Sequence, residues 1–309
     1  MGIRGLLRIE WGMKEFLQGV WVAAITPFAE SGQIDFAALE RLVEGWRGRV
    51  DGLVVCGTTG EGPLLTEAER EEVVRFVRRV WQGPMLVGVE GISTRAQCEE
   101  TEMAVRCGAE GVLAVVPPFV RPSAEGLVRH YGEVVRAAKG RAVVAYSVER
   151  RSGVRIGEDV LRQLGEVGVC GLKDADGDMA QTVRYAAVCA ELGLALFCGD
   201  DGLALAHRAV GARGIVSAVG NVCPDLLRTV WRAEWAEARR AADKLTKWLG
   251  AIFWRSNPIG VKQALAELGL CSDTVRLPLV AEKNEDIKKA VEEMEERKNN
   301  ILLYGIGVD

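Results

Sequence analysis

The chain has 309 residues, 49% of them hydrophobic and 27% charged, and its 39 Lys+Arg against 43 Asp+Glu leave a net charge of −4. That balance supplies no basic field for nucleic acid or an anionic membrane. Apolar material is ample for a full core, and a single α/β barrel of ~250 residues fits within the length.

No apolar run reaches the ~20 residues that span a bilayer. The opening MGIRGLLRIEWGMKEF has neither a signal-peptide apolar region nor a cleavage site. Position 6 is Leu, which breaks the myristoylation pattern. Met13 is a candidate for the true start.

The pattern along the chain alternates short β-branched runs with longer amphipathic ones. Strands are predicted at 20–28, 52–57, 85–89, 111–116, 142–146, 169–174, 194–199 and 214–219. Helical spacing predicts helices at 36–48, 66–81, 93–108, 123–138, 158–165, 179–193 and 202–211. Thr66, with Glu69 three residues on, makes a capping box; Ser93 opens the next helix and Gly108 closes it.

Strand–helix alternation with nearly continuous apolar strands means a parallel sheet covered by helices. Eight such units suggest closure into a (β/α)8 TIM barrel. The competing doubly wound sheet lacks its G-x-G-x-x-G fingerprint after the first strand. After position 221 the pattern turns helical, with a break at NPIG, 257–260. The expected organisation is therefore a barrel over 18–220, a helical subdomain over 221–280 and a charged tail over 281–309. The tail is expected to be a solvent-exposed helix, because its apolar periodicity is weak.

Cys56, Cys98, Cys107, Cys170, Cys189, Cys198, Cys223 and Cys271 include no C-x-x-C pair, and several sit in apolar runs. They are expected to be small buried hydrophobes in a reducing cytoplasm. His130 and His207 are the only histidines. No metal is expected, since a zinc site would be poorly supplied with ligands.

Catalytic groups of a parallel barrel collect at the C-terminal ends of its strands. Those ends carry Gly57-Thr58-Thr59-Gly60-Glu61, Tyr146, Lys173-Asp174 and Gly199-Asp200-Asp201. Lys173 ends the apolar run VGVCGLK. A lysine there is costly unless neutral or paired. It is either a nucleophilic amine for carbonyl chemistry or one half of a salt bridge. Tyr146 suits a general acid/base beside it, or is an ordinary rim aromatic. Thr58 and Thr59 offer hydroxyls and N–H groups to a carboxylate, or form a bland turn. Arg151 is placed to take a carboxylate in a bidentate contact, and Arg150 is expected to be solvated.

The segments GTTGEGPLLT (57–66), YSVERRSG (146–153), GLKDADGD (171–178) and GDD (199–201) stand in order with TPF (26–28), RPSAEGL (121–127) and NPIGVKQAL (257–265). Together they resemble the dihydrodipicolinate synthase / N-acetylneuraminate lyase family over roughly 18–280. The resemblance implies that Lys173 forms an imine, then an enamine, with pyruvate. Thr58 and Thr59 would hold its carboxylate, with Thr59 also in a proton relay, and Tyr146 would shuttle protons. Arg151 would bind the carboxyl end of aspartate semialdehyde. Val216 would place its backbone carbonyl near the lysine, and Gly199 would form the site wall.

The activity implied is that of a 4-hydroxy-tetrahydrodipicolinate synthase of lysine and diaminopimelate biosynthesis, with no cofactor beyond the covalent imine on Lys173. Its partners would be pyruvate and an aldehyde, in a homo-oligomer, tetramer or dimer. Two alternatives stand beside it. One is a sister aldolase acting on 2-keto-3-deoxy sugar acids, N-acetylneuraminate or 4-hydroxy-2-oxoglutarate. The other is a paralogue that binds keto acids without turnover.

Three departures from the family pattern bear on these. Phe119 stands where a relay tyrosine belongs, Ser147 replaces the usual Asn, and Glu149 replaces the usual Pro. Glu67, Arg70, Ser93 and Pro118 match the family's lysine feedback site poorly, so insensitivity to lysine is expected.

Overall fold

The computed structural model describes residues 15–304. The expectation for Met13 lies outside the described residues, as does the tail beyond Tyr304.

Eight parallel strands close into a barrel in sequence order. They are β1 (Gly19–Ala23), β2 (Gly52–Val55), β3 (Met85–Val89), β4 (Gly111–Val115), β5 (Ala142–Ser147), β6 (Gly171–Asp174), β7 (Ala195–Cys198) and β8 (Gly214–Ser217). Strand β1 pairs with β8, Val20 opposite Ile215 and Trp21 opposite Val216, which removes every sheet edge. The expected (β/α)8 barrel is the observed fold.

Side chains alternate between two cores. Val20, Val22, Leu53, Val55 and Val87 point outward to the helices. Trp21, Ala23, Val54, Leu86, Leu113, Val144, Phe197 and Val216 fill the interior. Trp21 and Phe197 meet edge to face, ring centroids 6.0 Å apart. Their bulk is matched by absence opposite: a Cβ at Gly52 would lie 2.5 Å from Trp21, and one at Gly214 would lie 2.4 Å from Phe197. The barrel floor is thus solid, and only the C-terminal mouth is open to chemistry.

The helices outside are α1 (Phe36–Trp46), α2 (Glu67–Val80), α3 (Thr94–Arg106), α4 (Ala124–Ala137), α5 (Glu149–Ser152), α6 (Glu158–Glu166), α7 (Met179–Leu192) and α8 (Ala204–Ala209). Both halves of the Thr66–Glu69 capping box are formed, and Ser93 caps α3. Of the eight cysteines, six are buried and Cys98 and Cys271 are half-buried. Among the described residues no helix is long and apolar enough to cross a membrane.

Three expectations are corrected. The first strand stops at Ala23 rather than Phe28. Beyond it Ile25 N–H donates to Asn221 Oδ1 (3.1 Å), and Phe28 pairs with Ile34 in an isolated bridge. The helix expected over 202–211 begins as a 3-10 turn, Asp201–Leu203, because the Asp200 side chain accepts from Gly202 N–H. The charged tail is not simply solvated. After α9 (Pro224–Arg232), α10 (Trp235–Ile252) and α11 (Ile259–Glu267), helix α12 (Glu285–Tyr304) packs on α10 and α11 and buries Ile287 and Val291. Two apolar residues one turn apart give a weak periodic signal, yet they suffice to seat one face.

His130 ties two barrel segments together. Its Nδ1 lies 2.9 Å from Thr94 Oγ1 and its Nε2 lies 3.1 Å from Gln97 Oε1. Gln97 in turn donates to the carbonyls of Gly91 and Val115, at 2.9 and 3.0 Å. Burial pushes the imidazole down from 6.5 to about 4, so the folded protein holds it neutral. The unfolded chain binds more protons between those two values. The stability that the neutral ring contributes is complete above about pH 6.5 and is lost as pH falls toward 4. Urea titrations across that range are expected to show a falling midpoint in the native protein and a shallower fall in His130→Asn. Equal slopes would remove His130 from the account.

Candidate active site

The open mouth of the barrel holds a cavity of about 360 Å³. Its wall includes every residue expected to bind or react, whether from strand-end position or from the resemblance: Thr58, Thr59, Tyr146, Arg151, Lys173, Gly199 and Val216. It also includes Arg150, which was expected to be solvated; Arg150 and Arg151 share α5, and both border the opening.

Lys173 and Tyr146 are register partners on β6 and β5. Parallel pairing sets them side by side on the inward face, with Lys173 Nζ 4.3 Å from the Tyr146 ring centroid. Burial lowers the lysine from 10.5 to about 8, against the opposing pull of Asp201 and Glu90. Among the described residues Lys173 makes no ion pair, so the salt-bridge alternative is not realised. Burial also pushes the Tyr146 phenol up to about 12, which keeps it protonated.

Gly199 is a wall for a spatial reason: a Cβ there would lie 2.8 Å from Lys173 Cε and 2.9 Å from the Ala175 methyl. The lysine stem occupies that space. Strand β6 is fixed from the other face by Asp174, whose Oδ2 accepts from Thr182 Oγ1 (2.5 Å) and lies 3.3 Å from His207 Nε2. Asp201 Oδ2 accepts from the N–H groups of Ala218 and Val219 at 3.1 and 3.2 Å, which ties the β7 end to the β8 end.

The loop carrying the two threonines folds as two 3-10 turns, Thr58–Gly60 and Gly62–Leu64, around Glu61 at φ +53°. Thr58 Oγ1 donates to Glu90 Oε1 at 2.7 Å. Thr59 Oγ1 accepts from Asn257 Nδ2 at 2.7 Å. Among the described residues neither hydroxyl is hydrogen-bonded to Tyr146.

The loop is gripped from outside the barrel. Glu61 and Lys262, both fully buried, form an ion pair at 2.5 Å, and Lys262 Nζ also donates to the Thr274 carbonyl at 2.8 Å. Glu61 Oε2 accepts from Arg276 N–H at 2.9 Å. Arg276 also forms an ion pair with Glu69 at 2.5 Å, which holds that carboxyl down at about 2.

Sequence reasoning missed Glu90, Asn257 and Lys262, while Asp201 was named at its strand end without a role. Glu90 directly follows β3, so the strand-end rule that selected Lys173 would have found it. Asn257 lies in the NPIG break, and Lys262 follows on α11; neither carries a positional signal.

The departures also find physical roles. Phe119 sits at φ +70° on the loop after β4, is 82% exposed, and does not border the cavity. Ser147 Oγ donates to Asp176 Oδ2 (2.6 Å), and Glu149 N–H donates to Asp176 Oδ1 (2.7 Å), so Asp176 holds the altered strand-five loop. Arg70 is buried, donating to the carbonyls of Gly88 and Gly62 at 3.0 and 2.7 Å. Ser93 is occupied as a helix cap.

Comparison with known proteins places this geometry. The model of the dihydrodipicolinate synthetase family matches residues 16–297. The 4-hydroxy-tetrahydrodipicolinate synthase of Sorangium cellulosum is 37% identical over 297 residues, covering 91% of this chain and 97% of that one. A monomeric dihydrodipicolinate synthase variant superposes with a TM-score of 0.86 at 29% identity, covering 92% of this chain and 97% of its own. The chloride-inhibited dihydrodipicolinate synthase from Acinetobacter baumannii, complexed with pyruvate, superposes at 0.85 with 31% identity, covering 90% and 99%. The chain belongs to the dihydrodipicolinate synthetase family.

Proposed function

We propose that this chain is a 4-hydroxy-tetrahydrodipicolinate synthase, condensing pyruvate with aspartate semialdehyde through an imine on Lys173. The observation that carries this is the unpaired, buried amine of Lys173 against Tyr146 in the cavity wall. At pH 7 about a tenth of an amine with a pKa near 8 is neutral, against about one in three thousand at the ordinary value. The lysine is thus ready to add to a ketone without a separate base or cofactor.

Lys173 attacks C2 of pyruvate, whose carboxylate lies on the Thr58–Thr59 turn. Loss of water gives the imine, and loss of a C3 proton gives the enamine. Tyr146, neutral at pH 7, is placed to pass protons at C2. The enamine carbon then attacks the aldehyde, and Arg151 at the mouth takes its carboxylate in a bidentate contact. The family membership, the synthase relatives and the pyruvate complex of the Acinetobacter protein support this reading.

Borohydride added with pyruvate is expected to fix one adduct, mapped by peptide mass to Lys173. Lys173→Arg is expected to lose the adduct and to lower kcat by on the order of 10⁴-fold or more. No adduct at Lys173 would sink the scheme. Preferred cleavage of a 2-keto-3-deoxy sugar acid, N-acetylneuraminate or 4-hydroxy-2-oxoglutarate would replace it with a sister aldolase. An adduct without any condensation would leave a keto-acid-binding protein.

The rate of adduct formation at limiting pyruvate is expected to rise about tenfold per pH unit and to level off above about pH 8, following the free amine. A rise that continues toward pH 10.5 would contradict the buried-amine account. Lysine is expected not to inhibit, because Arg70 and Ser93 are committed to backbone contacts. Inhibition at sub-millimolar lysine would overturn that.

A further inference from the structure

We propose that Glu90, acting through the Thr58 hydroxyl, carries protons to and from the imine on Lys173. The proposal rests on the imine reading above and adds a group to it.

Three observations place Glu90. It borders the same cavity as Lys173 and Tyr146. Its Oε1 accepts a hydrogen bond from Thr58 Oγ1 at 2.7 Å, which joins the carboxyl to the hydroxyl. Among the described residues its Oε2 is buried without a hydrogen-bond partner, a costly arrangement for a group with no task.

The backbone beneath it is pinned. Glu100 Oε2 accepts from the N–H groups of Glu90 and Gly91 at 2.8 and 3.2 Å, and Gln97 donates to the Gly91 carbonyl. The side chain is therefore presented by a fixed frame rather than by a loose loop.

The charged and titratable neighbours are Cys56 after β2, Arg70 on α2, Glu100 on α3, Lys173 on β6 and Tyr146 on β5. Burial raises the carboxyl above its ordinary range, and Thr58, Arg70 and Lys173 pull it back down. A carboxyl so balanced exchanges protons in both directions.

The steps balance. The neutral amine adds to C2 of pyruvate, and an amine proton passes to the former carbonyl oxygen, giving a carbinolamine. Glu90 gives its proton to Thr58, and Thr58 gives its own to the carbinolamine hydroxyl. The C–O bond breaks, water leaves, the nitrogen lone pair forms the iminium, and Glu90 is left ionised. The C3 proton then returns along the same path, its electron pair forms the enamine double bond, and Glu90 is neutral again.

Exchange of the pyruvate C3 protons for deuterium, followed by NMR in D2O without any aldehyde, reads these steps directly. At saturating pyruvate, where Lys173 is held as the imine, exchange in the native protein is expected to fall on the acid side as Glu90 becomes protonated. Glu90→Gln is expected to lose on the order of 10²-fold in exchange rate and to lose that acid limb. It should still yield the borohydride adduct on Lys173. Glu90→Asp is expected to recover part of the rate with a displaced limb. Thr58→Val, which keeps the carboxyl but cuts the bridge, is expected to slow exchange as well.

Exchange in Glu90→Gln within about threefold of native, with the acid limb intact, would overturn the proposal while leaving the adduct on Lys173 standing. So would a slower exchange in Glu90→Gln that keeps the native pH profile, since that reports only a displaced loop. Absence of the adduct in the native protein would instead bring down the imine reading and this proposal with it.

Discussion

An amine removed from water must acquire a counter-charge or surrender its proton. Among the described residues the buried lysines are Lys173 and Lys262; Lys262 has a counter-charge beside it, and Lys173 gives up its proton more readily than an ordinary amine. Lys262 meets Glu61 at 2.5 Å, so its charge is used to hold a loop. Lys173 meets only an aromatic face and distant carboxylates, so it is free to react. Breaking a buried pair by removing one partner costs about 3–5 kcal/mol, which makes the first lysine an anchor. The two depend on each other, because the loop that Lys262 holds is the one that presents Thr58 and Thr59 to Lys173.

Much of this was legible in the residues themselves. The strands announce themselves as short β-branched apolar runs, because a parallel sheet buried on both faces tolerates little else. Lys173 and Tyr146 stood out because each ends such a run, and pairing in register then brings them together. Glu90 obeys the same rule and was overlooked beside them. Lys262 and Asn257 obey no such rule. They sit on a helix and in a break whose place over the mouth comes from tertiary packing, which has no local signature. The same holds for α12, where Ile287 and Val291 give little periodicity but bury fully against two other helices.

The helical part that follows the barrel is therefore integral to the site. Asn257, Lys262 and Arg276 reach the threonine loop from three points, and α12 packs against α10 and α11, which flank that region. The barrel supplies the amine and the phenol. The helical part sets the posture of Thr58 and Thr59.

That division has a consequence in time. The partners Thr59 and Asn257 are 198 positions apart in the chain. At ~5–20 residues per second a ribosome needs roughly 10–40 s to travel between them. During that interval the threonine loop exists without its anchor, and Lys173 is made before the interval ends. The contact that steadies the threonine loop can form only after Lys173 is in the chain, so the nascent barrel holds its amine before it holds that loop in place.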